Sequence, residues 1–595
     1  MCAPIVMSPG GEQNPGMTNE TPKDRAMNKA RSRAWRSALS LGILAALLYV
    51  PLIGWGLPHA TAPDRVQTFA VDELLPLGPL AEMHNTFVVS KPDRNYGYPW
   101  WHYFVLAGAQ APYLAYLKFT GGWDRPETAF PFGLRNPVRA LKALTLIGRA
   151  VSVLMGAGVV VAAYWFSFIL WGHAAGVVTA LLTMLNYLMF YFSRTGNTDV
   201  PAFFWTALGL VVFARIFRQG LTARRAIWLG IFTGVAIATK DQAVAFFLPL
   251  GVALLFRRFH GFAPPAFPFR PLLLGLAASL VAYGICTGMV VDPARHVTHV
   301  KYLFFNTERL TSMPFYHPPY PRTLAGFLDL FVALGGAMRQ SFTLPVLMAA
   351  AAGLVLALKN SRAWLVFLLP LVLNIFLLNI LTGVVVVRYF LPFTLLVDAF
   401  AAYAVISLRN TRWKLGWVAV LVVLCAWRLA LGMDLTYAQW NETRYAASAW
   451  LQSNMRPGER IEFFGNQQFM PPLPAEIPSR RIAGRKVWTR ESGHGPYLLE
   501  YLHREGPEYL AVFPDQTSRP GADFSGDCPP EVYAALVDGS AGYRLAADFP
   551  ASRLLRGMFQ RPALDNPSVS PPVRIFARVR PSPAGAGGVA VGPGV

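Results

Sequence analysis

The sequence predicts an α-helical multi-pass membrane protein, with about eleven spans and a small C-terminal α/β domain outside the bilayer. Three observations carry this. Hydrophobic residues make up 54% of the 595 residues and charged residues only 14%. Mean hydropathy is +0.37, more apolar than a soluble chain of this size needs. Uncharged stretches recur at 37–57, 150–172, 174–193, 271–291, 340–358 and 363–387, and about twenty helical residues span the ~30 Å hydrocarbon core.

In chain order, residues 1–34 are polar, rich in Pro and Gly, and carry internal methionines at Met7, Met17 and Met27; they are expected to form a disordered cytoplasmic arm. The first apolar stretch is long and has no small-residue cleavage signature, so it reads as an anchor and not as a removed signal peptide. It opens a transmembrane domain over 35–440, with a first outer loop at 58–142. Shorter apolar candidates at 200–214, 226–239, 242–256 and 415–427 must end by snorkelling flanking Arg or Lys to the interface. Residues 441–580 have the composition of a soluble domain. A helix is expected at 446–454, a strand at 460–464, a second helix at 496–504, and strands at 509–513, 543–549 and 573–579. Residues 581–595 form a Pro/Gly/Ala tail, also expected to be disordered.

The net charge of +21 is arranged in short clusters: Lys23 to Arg36, Arg215 to Arg225, Arg257-Arg258, Lys359 with Arg362, and Arg409 to Lys414. Short basic loops between spans mark the cytoplasmic side and contact anionic lipid. The basicity is therefore a topology signal, and nucleic acid is excluded as a partner. Keeping all five clusters inside requires the aromatic-rich stretch 100–119 to lie at the outer interface without crossing. The same parity makes 226–256 two spans with Lys240-Asp241 at their outer turn. The N-terminus is then inside and the C-terminus outside, and 58–142, 292–339 and everything after about 433 share the outer face.

Cys2, Cys286, Cys425 and Cys528 fall in four different environments, so spacing supports neither a disulfide framework nor a cysteine metal site. His84, His102, His296, His299 and His317 all fall on the outer side. His296 and His299 are three apart, but with no third ligand they are expected to make packing contacts.

The chemistry-bearing residues are charges at membrane depth, which are costly and by default mark sites. Asp72-Glu73 opens the first outer loop. Arg149 leads a long apolar span. Arg194 and Asp199 bracket the turn 193–201, Lys240 and Asp241 form the next outer turn, and Arg388 follows a Thr-Gly break. Cations beside carboxylates at one bilayer face suit a substrate with an anionic head and a lipid tail. The cations can hold phosphate oxygens, while a carboxylate is free to accept a proton. The plainer possibility is that Arg194 pairs with Asp199 and Lys240 with Asp241, and that Arg149 and Arg388 snorkel to headgroups. Asp398, deeper in its span, is expected at most to pair within the bundle.

Six pieces then stand in order: Asp72-Glu73; 98–103 (Tyr-Pro-Trp-Trp-His-Tyr), which contains His102; 149–152 (Arg-Ala-Val-Ser); the turn ending Asp199-Val-Pro; the Gly-containing span ending Ala-Thr-Lys240; and 388–392 (Arg-Tyr-Phe-Leu-Pro). This order resembles the GT-C glycosyltransferases, in particular the bacterial branch related to protein O-mannosyltransferases and aminoarabinose transferases. The resemblance covers roughly 60–410. It implies transfer of a sugar, with inversion, from a polyprenyl-phosphate-linked donor to a glycan, lipid or protein acceptor on the extracytoplasmic face of the inner membrane. Carried over residue by residue, Asp72 would be the general base, with Glu73 and Asp199 orienting the acceptor or holding the base. Lys240, Arg388, Arg149, His102 and Arg194 would bind substrate. The resemblance implies no cofactor and no essential metal. The chain departs from the branch in having only Tyr98-Pro99 before its aromatic run and Leu-Leu-Pro after Glu73, which leaves sugar and acceptor open. A polyprenyl-lipid flippase, which would tend to show internal repeats, and a non-catalytic membrane scaffold remain the alternatives.

Overall fold

The computed structural model describes residues 22–70, 72–89, 98–127, 129–256, 269–305, 320, 323–381, 385–410, 415–464, 467–482, 494–513, 528–555 and 569–579. Six helical segments among them are long and apolar enough to cross a membrane: Pro137–Trp171, Asp199–Gln219, Phe269–Cys286, Arg362–Ile380, Val387–Ser407 and Gly416–Asn454. Leu324–Phe342 and Leu344–Asn360 make a seventh if taken together, bent by 95°. The bend sits at Thr343, in the left-handed region at φ 67°, just before Pro345.

Helices are labelled in chain order: α1 (Pro22–Tyr49), α2 (Leu77–His84), α3 (Trp101–Phe119), α4 (Pro137–Trp171), α5 (His173–Met184), α6 (Tyr187–Phe192), α7 (Asp199–Gln219), α8 (Ala223–Thr239), α9 (Ala243–Ala253), α10 (Phe269–Cys286), α11 (Pro293–Phe305), α12 (Leu324–Phe342), α13 (Leu344–Asn360), α14 (Leu369–Asn374), α15 (Thr394–Ser407), α16 (Gly416–Trp440) and α17 (Thr443–Asn454). Several differ from the sequence reading. α1 starts at Pro22, inside the expected disordered arm, because 22–36 is rich in Ala, Lys and Arg and continues the anchor's helix. The rest of that arm, 1–21, and the tail from 580 onward lie outside the described residues, as does the Arg257-Arg258 cluster. The uncharged stretch 174–193 is two helices, because the Asn186 side chain accepts from Leu188 N at 2.8 Å and restarts the chain there. Of the shorter expected spans, α8 has 17 residues and α9 has 11.

α4 lies along α1, α5 and α7 at the centre of the bundle, and α13 runs beside α15. Small residues set these distances. On α8 and α10, a Cβ at Gly230 would fall 2.0 Å from Gly275 O and one at Gly234 2.5 Å from Ser279 O. This is the close backbone approach that membrane helices use where lipid gives little hydrophobic drive. Buried polar links cross the interior: Asp398 pairs with Arg428 at 2.7 Å and accepts from Thr183 at 3.0 Å. Asp398 is therefore a bundle tie, as expected.

The C-terminal domain holds a mixed sheet of β1 (Ile461–Phe463), β2 (Ser479–Arg481), β3 (Tyr509–Val512), β4 (Tyr543–Phe549) and β5 (Val573–Arg578), in the order β2-β1-β3-β5-β4. β1 is parallel to β2 and β3, and β5 is antiparallel to β3 and β4. α17, α18 (His494–Glu505) and α19 (Pro530–Asp538) complete it. β2 and α19 were not expected; three polar residues and a nine-residue helix carry little periodicity. The domain is sewn to the first loop. Trp55 Nε1 donates to Glu442 at 2.9 Å, and the Arg444 guanidinium lies 3.6 Å over Phe69. Arg65 donates to the carbonyls of Leu473 at 2.8 Å and Ile477 at 2.6 Å.

Candidate active site

The first loop reaches the bundle through a short extended segment. Leu74 N donates to Gly196 O at 3.1 Å, which fixes the loop to the turn before α7. Glu73, next to it, is consumed by structure. Its two oxygens accept from Arg149 Nε and Nη2, each at 2.7 Å, and Oε1 also accepts from Gly196 N at 2.6 Å. Arg149 Nη1 donates to Ile53 O at 2.7 Å and to Trp55 O. Both side chains are sealed, at 0% and 1% exposure. A forked guanidinium–carboxylate pair is strong and geometrically demanding. It neither snorkels nor faces an open site, so Arg149 is a loop anchor here and not a free cation for phosphate.

Asp72 is different. Its backbone is in the left-handed region at φ 54°, which Asp tolerates better than most residues. That turn sends its side chain away from Glu73 toward Arg388, whose Nη2 lies 2.6 Å from Oδ2. The Asp72 side chain is 44% exposed and that of Arg388 only 10%. Arg388 is carried by the 3₁₀ turn Val387–Phe393 that leads into α15. Asp199 is the first residue of α7, where the helix N-terminus favours a carboxylate. Lys240 caps α8 at its C-terminal end, and its Nζ sits 2.6 Å from Asp199. A small cavity brings the two pairs together, lined by Asp199, Lys240 and Arg388 with Asn374, Tyr389 and Phe246.

The structure thus groups Asp72, Asp199, Lys240 and Arg388, and it pairs them otherwise than the plainer sequence reading supposed. Lys240 goes to Asp199, while Asp241 meets His299 at 3.2 Å. Arg194 does not reach Asp199. It donates to Tyr49 O at 3.3 Å, Leu48 O at 3.0 Å, Thr436 at 2.9 Å and Gln439 at 3.1 Å, tying α1 to α16, so the substrate-binding position expected of it is not where it lies. His102 is also away from open space: it is 0% exposed and neither ring nitrogen is hydrogen-bonded. Burial pushes its imidazole down to about 4. His296 packs its ring against Tyr283. Among the described residues no three His, Cys, Asp or Glu side chains gather as a metal site.

Sequence reasoning passed over two residues. Tyr98 belongs to the motif 98–103, whose pattern assigns it no role; removal from water pushes its phenol up, with Arg388 opposing and Asp72 and Asp199 adding to the rise. Asn374 lines the same cavity as Lys240 and Arg388. Its signal in the sequence is a carboxamide, one of two with Asn379, inside the uncharged stretch 363–387.

Residues 142–291, about a quarter of the chain, match the model of the family described as dolichyl-phosphate-mannose-protein mannosyltransferase. The match contains Arg149, Asp199 and Lys240. No curated protein sequence matches. Among solved structures, ArnT from Cupriavidus metallidurans bound to undecaprenyl phosphate is 12% identical, with a TM-score of 0.45 over 91% of this chain and 97% of that one. The Archaeoglobus fulgidus oligosaccharyltransferase tethered with an acceptor peptide is 12% identical, with a TM-score of 0.43 over 81% and 69%. The arabinofuranosyltransferase AftD from Mycobacteria is 16% identical, with a TM-score of 0.36 over 92% and 41%. The resemblance first read from the six motifs stands together with this family match: the chain is similar to the GT-C membrane glycosyltransferases, and residues 142–291 carry the family segment.

Proposed function

We propose that the protein moves a sugar from a polyprenyl-phosphate-linked donor to an acceptor hydroxyl or amine on the extracytoplasmic face of the inner membrane, with inversion. One observation carries this reading: a half-exposed carboxylate, Asp72, is paired at 2.6 Å with Arg388, and Arg388 lines one cavity together with a second cation, Lys240. The matched family's description, which names a dolichyl-phosphate-linked sugar, supports the same donor chemistry.

In the proposed reaction Asp72 takes the proton from the acceptor as its oxygen or nitrogen attacks the anomeric carbon. The bond from that carbon to the phosphate oxygen breaks, and its electron pair leaves with the phosphate. A phosphate leaving group needs cations more than an acid, and Lys240 and Arg388 supply them where water is scarce. Asp199 holds Lys240 in place, and Glu73 holds the loop that carries the base. The arriving phosphate competes with Asp72 for Arg388, so donor binding uncovers the base.

The test is transfer by purified protein supplied with polyprenyl-phosphate sugars and candidate acceptors. Asp72→Asn is expected to lower kcat by about 10²–10⁴-fold, the usual contribution of a positioned base, with the donor KM changed only a few-fold. Equal transfer by Asp72→Asn and wild type removes the base assignment.

A further inference from the structure

Asn374 ends α14 at a point where the backbone changes pitch, from 3₁₀ over Arg362–Leu368, through α14, to a π-helical turn over Ile375–Ile380. Such π turns are rare and are frequent beside functional sites. The side chain is 3% exposed, and its Nδ2 makes no hydrogen bond. A buried amide donor left without a partner carries its full desolvation penalty. This one lines the cavity shared by Asp199, Lys240 and Arg388.

We infer that Asn374 is a donor-binding residue whose carboxamide N–H holds a non-bridging oxygen of the polyprenyl phosphate beside Lys240 and Arg388. The inference rests on the lipid-phosphate reading above and gives it a residue outside the matched family segment. Charge favours an amide here. Lys240 and Arg388 already face Asp199 and Asp72, so the four ionised side chains sum to zero, and a neutral donor adds a hydrogen bond without a cation that needs its own counter-charge. The remaining lining is mixed: Thr206, Gln242 and Tyr389 bring polar groups, while Ala202, Ala243, Phe246, Pro392 and Phe393 give an apolar wall along which a prenyl chain can run from the head.

Binding is measured with undecaprenyl phosphate, undecaprenol and inorganic phosphate on the full-length protein in detergent. Wild type is expected to prefer undecaprenyl phosphate to undecaprenol by well over tenfold. Asn374→Ala loses about tenfold of that preference, the size of one hydrogen bond to a charged group. Asn374→Asp loses more, because it sets a negative charge against the phosphate. Undecaprenol affinity stays at the wild-type value in both variants, and Asn374→Leu melts no lower than wild type because the unpartnered donor is gone. Where Asn374→Asp does not fold, Asn374→Ser is read for the same loss.

If the Asn374 variants bind undecaprenyl phosphate as wild type while Lys240→Met loses it, the Asn374 assignment fails and the lipid-phosphate reading stands. Equal weakening for both lipids makes Asn374 a structural residue and also overturns the assignment. A wild-type protein that cannot tell undecaprenyl phosphate from undecaprenol, or that binds inorganic phosphate as tightly as the lipid, overturns the donor reading itself.

Discussion

Adjacent residues Asp72 and Glu73 have opposite fates, and the reason is geometric. Glu73 is sealed by three hydrogen bonds from Arg149 and Gly196, whereas the left-handed turn at Asp72 leaves its carboxylate half in the open. Buried ion pairs are poor sources of net stability, but breaking one by removing a single partner costs about 3–5 kcal/mol. Glu73→Gln and Arg149→Met are each expected to lower the melting temperature sharply, and the double variant to recover much of the loss; thermal unfolding in detergent reads this. His102 gives a pH dependence. Its folded imidazole is pushed below the ordinary 6.5 to about 4, so between those values the unfolded chain binds a proton that the folded one does not. Stability is therefore lost as pH falls from about 6.5 toward 4. Unfolding temperatures of His102→Leu and wild type, compared at pH 7 and pH 5, should show a smaller decline in the variant.

At the scale of elements, close helix approach decides where the cations stand. Lys240 caps α8 directly after Thr239, and the position of α8 against α10 depends on Gly230 and Gly234. Gly230→Val would press Cβ into the Gly275 carbonyl, a backbone atom that cannot rotate away. That variant is expected to lose transfer activity by about tenfold or more through misplacement of Lys240, together with a lower melting temperature. Gly251, with open space at its Cβ, should accept Ala with transfer unchanged. Much of this level was legible in the sequence: apolar runs gave the long helices, and alternation gave β4 at the expected residues 543–549. The break at Asn186 and the pitch changes along 362–380 were not legible, because one polar residue in an apolar run reads the same whether it caps, kinks or faces a partner.

Across the whole molecule, the first loop joins the bundle to the C-terminal domain, with Arg65 on one side and Glu73 on the other. Arg65 donates to Leu473 and Ile477 carbonyls and, at 2.9 Å, to Ser479. Arg65→Ala leaves those acceptors unmet and is expected to speed limited proteolysis within 441–580 several-fold, each 1.4 kcal/mol of lost local stability being about tenfold in the open population. Similar cleavage rates for variant and wild type would mean that the loop does not hold the domain.

The sequence by itself determined the class, because hydropathy and uncharged length are local properties that lipid reads residue by residue. It also determined the set of charges from which a site could be made, since each ionisable residue near lipid is conspicuous. Which carboxylate meets which cation was decided only by tertiary structure. Asp72 and Arg388 are more than three hundred residues apart, and Lys240 chooses Asp199 over its neighbour Asp241. A charge-assisted hydrogen bond needs its heavy atoms within about 3 Å, and only the packing of α7, α8 and the turn before α15 brings those side chains that close.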